Sequence, residues 1–557
     1  MPAAEDCPKD DVVDIDAPGP PISVPDSSDG GEGGKLKMII ALVKKSLGVK
    51  DIAAMRLSLP ASLLEPIPNL EYWHYLDRPD LFAAINDSDD PFERMLAVIR
   101  FTFTKDLKFI HGKICKPYNS VLGEHFRAHW DIIPVETPSD PNHPPILKHY
   151  TTSPACSPPI VALVNGAGPS ETASVKSGKS SKSTRSGLSA LSKVGKSPST
   201  APTSPQQTVE TNVDAQMSDL SLGENDNTGS ADGDSDSVAR VRVVYVTEQV
   251  SHHPPVSAYY TSCPARSLEM TGIDQITAKV SGTTLRVAPG SHNKGIYINI
   301  TGGPGEGEKY HITHPIASVN GILRGSFYLT VGDTTIITCT GGKSGQMLRT
   351  LIDYKEESWL GKAHFLLEGV IHTYTIGDTE HEAWTKVRHV PQSRVVAIFD
   401  GSWKHHIKWR RTGSTNSSAA TSASDVTSTA ETGEYSTLLD LSTLKVIPKT
   451  VRPIERQFSN ESRKLWHDVT TRLIKKEYGE ATKYKLAIEQ KQRDEAAERK
   501  RQGVEFIPLY FEKDISSGTP TLTREGLKAV EDELGESSPH CLEGYDEPAG
   551  KSAGVGS

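Results

Sequence analysis

Two adjacent histidines followed by two prolines, His252-His253-Pro254-Pro255, are the residues of this chain best placed to do chemistry. The prolines restrict the backbone and hold His253 out of the helical region. Imidazoles held this way can each donate a hydrogen bond to an anionic oxygen and can gain charge near neutral pH. The same four residues also suit a rigid turn with incidental histidines. A zinc role is disfavoured, because a strand points adjacent side chains to opposite faces. A second set is Lys485, Glu489 and Arg493, each four residues from the next. That spacing puts two cations and a carboxylate on one helical face, where they can meet a ligand or form an ion-pair ladder worth about 0.3–0.5 kcal/mol per pair.

Nothing else supplies a catalytic partner. Gly342-Lys343-Ser344 and Gly178-Lys179-Ser180 look like the end of a phosphate loop, but the first glycine of that motif falls on Ile337 and Ala173. GxSxG, HExxH and metal-ligand cysteine spacings are missing, so the expectation is no enzyme, no metal and no cofactor. The six cysteines (Cys7, Cys115, Cys156, Cys263, Cys339, Cys541) are scattered without a CxxC pair, which favours a reducing cytoplasm. A net charge of −9 gives no global reason to expect a nucleic-acid partner. The apolar run Met38 to Val43 is far below the roughly 20 residues of a spanning helix. Any membrane contact is therefore expected to be peripheral.

These residues need elements to position them. Residues 1–34 are acidic and rich in Pro and Gly, and read as disordered. Leu36, Ile40, Val43 and Leu47 then recur at helical spacing among lysines, predicting an amphipathic helix that ends near Gly48. Phe92 to Phe109 is a second helix-compatible run. Residues 166–237 are low in complexity, basic first and acidic later, and read as a disordered insert; 412–432 read as another. From Val238 to about Arg411 the texture is β, with Val241, Val243 and Tyr245 alternating with Arg240, Arg242 and Val244. Ser326–Val331 and Thr334–Cys339 flank Gly332-Asp333, which predicts a hairpin. Many short strands with Gly-rich turns suggest an antiparallel barrel or sandwich. The part 460–515 reads as helical, and 521–557 as a disordered polar tail.

Glu248-Gln249-Val250-Ser251-His252-His253-Pro254-Pro255 matches letter for letter the fingerprint of the oxysterol-binding protein-related family, which the chain resembles over roughly 36–515. Lys116-Pro117-Tyr118-Asn119-Ser120-Val121-Leu122-Gly123-Glu124 is similar to that family's KPxNPxLGE motif, with Ser120 in place of a proline. Val451-Arg452-Pro453 and Glu461-Ser462-Arg463-Lys464-Leu465-Trp466 resemble its C-terminal landmarks. The resemblance implies an α+β fold, a near-complete antiparallel β-barrel with an N-terminal lid helix (36–50) and C-terminal helices, making one lipid-transfer domain over 35–520. It implies that Lys116, Asn119, His252, His253, Lys485, Glu489 and Arg493 bind an inositol phosphate head group. Lys279, two residues after Thr277 in a strand, is a weaker member of that set. The implied function is exchange of phosphatidylinositol 4-phosphate for a second lipid, sterol or phosphatidylserine, by a monomer at anionic membranes of the endoplasmic reticulum, Golgi or plasma membrane. Leu57-Ser58-Leu59-Pro60 and the ESRKLW run resemble members that carry phosphatidylserine. The alternative is a lipid-gated sensor or scaffold using the same pocket without net transport.

Overall fold

Strands dominate the computed structural model, which describes residues 22–23, 32–45, 57–59, 61–111, 116–138, 143–152, 240–322, 327–343, 346–357, 363–412, 434–536 and 542–545. Twelve of them form one antiparallel sheet. In chain order they are β1 (His125–Ile132), β2 (Val241–His252), β3 (Pro255–Cys263), β4 (Leu268–Asp274), β5 (Ile296–Ile300) and β6 (Glu308–Ile312). They continue with β7 (Thr334–Gly341), β8 (Gln346–Tyr354), β9 (Leu366–Thr375), β10 (Val395–Ser402), β11 (His406–Arg411) and β12 (Ser436–Asp440). Each is hydrogen-bonded to the strands before and after it in this series, so the sheet is a meander with β1 and β12 at its edges.

One face of the whole meander is apolar. Trp130 of β1, Tyr245 of β2, Ile298 of β5, Ile371 of β9 and Leu439 of β12 belong to a single buried cluster. Helix α2 (Pro91–Thr104) packs into the same cluster through Met95, Leu96, Ile99 and Phe101. Asp90 caps α2 by accepting from the Phe92 amide at 2.9 Å, and Pro91 occupies the first helical position, where its missing N–H costs nothing. Beyond β12 the chain returns to the opposite edge. Thr450 and His129 of β1 exchange backbone hydrogen bonds of 3.0 and 2.8 Å.

The hairpin predicted around Gly332-Asp333 does not form. Tyr328–Gly332 pairs with Ile316–Asn320 in a separate four-stranded sheet that also holds Ile276–Ser281 and Thr284–Pro289. The turn signal is real, since Asp333 adopts φ 70°. However, β7 is already paired on both edges, with β6 and β8, so the incoming strand has no edge to join.

The polar tail predicted from 521 is folded at its start. Thr523 accepts from the Gly526 amide at 3.1 Å and opens a helix, here α4 (Arg524–Leu534). Ala529 and Val530 of α4, with Tyr510 and Phe511, cover Val244, Val246, Val256, Ala258 and Ile273 on the second face of β2–β4. This explains why β2 is buried on both faces and does not alternate as its sequence suggests. In the sequence α4 is masked because Glu533 looks like a solvated charge, whereas it is buried and accepts from His129 Nδ1 at 2.7 Å and from Arg452. Leu542–Tyr545, also in the supposed tail, pairs with His149–Thr152.

Two further boundaries differ. Ile22–Ser23 pairs in parallel with Leu57–Ser58, and the first helix, α1, spans Glu32–Lys45, so 1–34 is not disordered throughout. The C-terminal helical part stops at α3 (Tyr478–Gln502), because Gly503 takes φ 65° and turns the chain out of the helix. Residues 46–50 of the expected lid, the insert 166–237 and all of 412–432 except Thr412 lie outside the described residues.

Candidate functional site

The two motifs of the sequence meet on neighbouring strands. In the β1–β2 ladder His125 stands opposite Glu248, so the residues before β1 run beside the end of β2. The Gly123 amide donates to Gln249 O at 2.9 Å and the Gln249 amide to Glu124 O at 2.8 Å. The stretch Lys116–Glu124 is thereby fastened to Glu248–His253. At the tip of β2, His252 is half-buried and His253 exposed, with ring centroids 4.4 Å apart and the rings tilted at 63°. Lys116 and Asn119 are both exposed, and Lys116 Nζ donates to Asn119 Oδ1 at 2.7 Å and to Pro117 O at 3.0 Å.

The third group arrives on α3. Tyr118, inside the first motif, stacks on Trp466 with ring centroids 4.9 Å apart and reaches Thr470 Oγ1 at 3.0 Å. Ala61, Leu64, Tyr118, Trp466, Val469 and Ala481 form one buried cluster, and the Ala61 amide donates to Thr482 Oγ1 at 3.3 Å. The start of α3 is therefore packed against the segment carrying Lys116. Lys485, one turn on, is buried and donates to Glu489 Oε1 at 2.5 Å. Arg493 is half-buried and donates to Gln490 Oε1 through Nη2 at 2.8 Å. Lys485 and Glu489 thus make the intrahelical pair that their spacing allows, while Arg493 turns towards a neighbour three residues back.

Lys279 is exposed on Ile276–Ser281, opposite Arg286 in the four-stranded sheet, so the expected strand forms, in a sheet other than the twelve-stranded one. Among the described residues no cluster of three or more His, Cys, Asp or Glu side chains suits a metal ion, and no helix is long and apolar enough to cross a membrane.

A family model described as oxysterol-binding protein matches residues 38–161 and 233–528. The chain belongs to the oxysterol-binding protein family. It is 39% identical over 511 residues to oxysterol-binding protein-like protein 1 of Schizosaccharomyces pombe, covering 91% of this chain and 93% of that one. It is 28% identical to oxysterol-binding protein-like protein OBPa of Candida albicans over 48% of this chain and 52% of the relative. Among solved structures it resembles the Osh1 ORD domain in complex with cholesterol, with a TM-score of 0.51, 17% identity and 88% of each chain covered. At that identity the likeness concerns the fold.

Two carboxylates of these motifs, whose role the sequence does not reveal, hold the segments together. Glu124 is fully buried and accepts from the Val121 amide, Ser462 Oγ and Trp466 Nε1 at 3.0, 2.6 and 3.0 Å. Burial without a cation pushes its pKa up to about 7, against the lowering effect of those donors. Glu248 is also buried and accepts from the Leu509 and Tyr510 amides at 2.8 and 2.7 Å, which pins the chain leaving α3 beside β2. Its pKa is raised by burial as well, with the backbone donors opposing. Arg463 of the ESRKLW run makes a bidentate pair with buried Glu71, at 2.9 and 2.6 Å. The available signal was the identity of these residues: a carboxylate inside an otherwise cationic motif has to be explained by what it accepts from.

Proposed function

We propose that this chain is a lipid-transfer protein that binds phosphatidylinositol 4-phosphate by its head group and exchanges it for a second lipid between membranes. The observation that carries the reading is the joining of three sequence-distant groups through hydrogen bonds and packing. Lys116–Asn119, His252–His253 and the Lys485–Arg493 face of α3 are linked through Gly123–Gln249 and through Tyr118 on Trp466. Lys116, Lys485 and Arg493 would neutralise phosphate oxygens, Arg493 with its fork. His252 and His253 add donors, and Glu489 accepts from inositol hydroxyls once Lys485 turns to phosphate.

The apolar body of the lipid needs a dry interior. A twelve-stranded sheet with one continuous apolar face lowers its exposed area by curling, and a meander allows this without crossing connections. Thr450, bonded to the first strand soon after the last one ends, narrows the gap. We read this as a near-complete barrel around a lipid tunnel, with α1 as its lid. The related Osh1 ORD domain was solved with cholesterol and with ergosterol, which supports sterol as the second lipid; the LSLP and ESRKLW runs support phosphatidylserine.

The test replaces His252 and His253 with Ala and measures extraction of phosphatidylinositol 4-phosphate from liposomes. Extraction should be lost while circular dichroism and the melting curve stay as in the wild type. Undiminished extraction would remove the histidines from the site.

A further inference from the structure

The chain leaving α3 carries an exposed apolar edge that the head-group site does not use. Ile507 is 78% exposed, Val504 54% and Leu509 46%, although Phe506, Pro508 and Tyr510 between them are buried or half-buried. The edge is held rigidly. The Gly503 and Val504 amides donate to Lys500 O and Arg499 O at 3.2 and 3.0 Å. The Phe506 ring lies against Gly123, where an added Cβ would meet it at 3.2 Å, and Glu248 fixes the Leu509 and Tyr510 amides. On the inner side of the same segment, buried Tyr510 lies against the His125 ring at 4.8 Å.

Isolated apolar side chains on a surface need no explanation, but several fixed on one edge do. Disorder cannot account for their exposure here, because their backbone is bonded on both sides of Ile507. The edge shares its anchors with the two motifs: Gly123 lies in the Lys116 motif and Glu248 opens the histidine motif. Arg499, Lys500 and Arg501 form the last turn of α3 immediately before it. Arg501 faces Glu498 and Lys513 faces Glu505, so the surplus positive charge is small and the apolar residues dominate. Aliphatic side chains held out beside a basic helix end fit the boundary of an anionic bilayer.

We infer that the edge formed by Val504, Ile507 and Leu509 inserts shallowly into an anionic lipid bilayer and seats the head-group site against it. This rests on the lipid-transfer reading and deepens it by naming the surface that meets the membrane.

The test uses the full chain and vesicles of phosphatidylcholine with phosphatidylglycerol, an anionic lipid outside the proposed cargo. Ile507→Asp combined with Leu509→Asp should weaken vesicle flotation about tenfold, the loss expected when two partly inserted aliphatic side chains become charged. Ile507→Trp should strengthen it, a gain that misfolding cannot imitate. Binding of soluble glycerophosphoinositol 4-phosphate should be unchanged in both. His252→Ala with His253→Ala should show the reverse, normal flotation with soluble head-group binding lost, so failure of the lipid reading is seen separately. Wild-type flotation in the double aspartate variant, or no gain with Ile507→Trp, overturns the docking edge and leaves it to a protein contact.

Discussion

The two family motifs divide into side chains that face out and side chains that face in. Lys116, Asn119 and His253 are exposed at the candidate mouth, whereas Glu124 and Glu248, from the same two stretches, are wholly buried. Contacts of the outward groups include local ones: Lys116 donates to Asn119 and to Pro117 O, and the two histidine rings meet each other. The inward carboxylates reach across the fold. Glu124 accepts from Ser462 and Trp466, 338 and 342 residues further along the chain, and Glu248 accepts from the backbone 261 and 262 residues away. Each stretch therefore divides between two tasks: an outward one, which under the proposed function is to meet the ligand, and an inward one, which locks distant segments into register. Substitutions should separate the two tasks.

The largest expected effect on stability is at Glu124. Replacing it with Ala leaves the Val121 amide and Trp466 Nε1 without this acceptor, and Ser462 Oγ with the longer bond of 3.4 Å to His125 O. Each unsatisfied buried donor costs about 1–3 kcal/mol, part of which is offset by removing a buried charge. A net loss of about 2–4 kcal/mol in urea denaturation is expected, in contrast to the near-neutral histidine pair. If Glu124→Ala is as stable as the wild type, the inward task assigned to this residue is wrong.

A smaller loss, about 2 kcal/mol, is expected for Glu248→Ala, which removes the acceptor for two backbone amides. The discriminating readout is local. Hydrogen exchange at the Leu509 and Tyr510 amides should quicken strongly, while the amides of β9 and β10, remote in the meander, keep their protection. Equal acceleration across the sheet would mean that Glu248 supports the whole fold and does not specifically pin the chain leaving α3.

The outward half of the site was the legible half. His252-His253 and Lys116–Asn119 could be singled out because their residue types are unusual for a turn or loop and their neighbours match a family pattern. Strand texture was legible for the same reason that the meander is simple: each strand pairs with its neighbours in the series, so local alternation and turns carry most of the topology. The inward half was not legible. Whether a glutamate is solvated or buried depends on donors hundreds of residues away, and nothing near Glu124 or Glu533 in sequence announces Trp466 or His129. The same blindness turned α4 into a tail, since its buried Ala529 and Val530 are too few to outweigh its charged residues. The hairpin at Gly332-Asp333 failed for a related reason: the turn was readable, but the occupied edges of β7 were not.

The least expected effect, and the finest test of the inward task, is the pH dependence of Glu124→Gln. In the folded chain the carboxyl of Glu124 titrates near pH 7 because burial disfavours its charge, against an ordinary value of 4.5. The folded state therefore binds a proton more readily than the unfolded state, and the contribution of Glu124 to stability is full below about pH 4.5 and is lost as pH rises through about 7. Glutamine reproduces the neutral acid. Its carbonyl can accept from the Val121 amide and Trp466 Nε1, and its amide can donate to Ser462 Oγ, which rotates to accept. Wild type and variant should thus be nearly equally stable near pH 4.5, and the variant should gain on the wild type by about 1 kcal/mol by pH 8, with about 3 kcal/mol as the ceiling set by the full shift. Asp274, also raised to about 7 by burial, titrates in the same window, but it is present in both proteins and cancels from the difference. Paired urea melts at several pH values give that difference directly. If the variant instead loses ground as pH rises, the charged form of Glu124 is the stabilised one, and its three donors outweigh its burial.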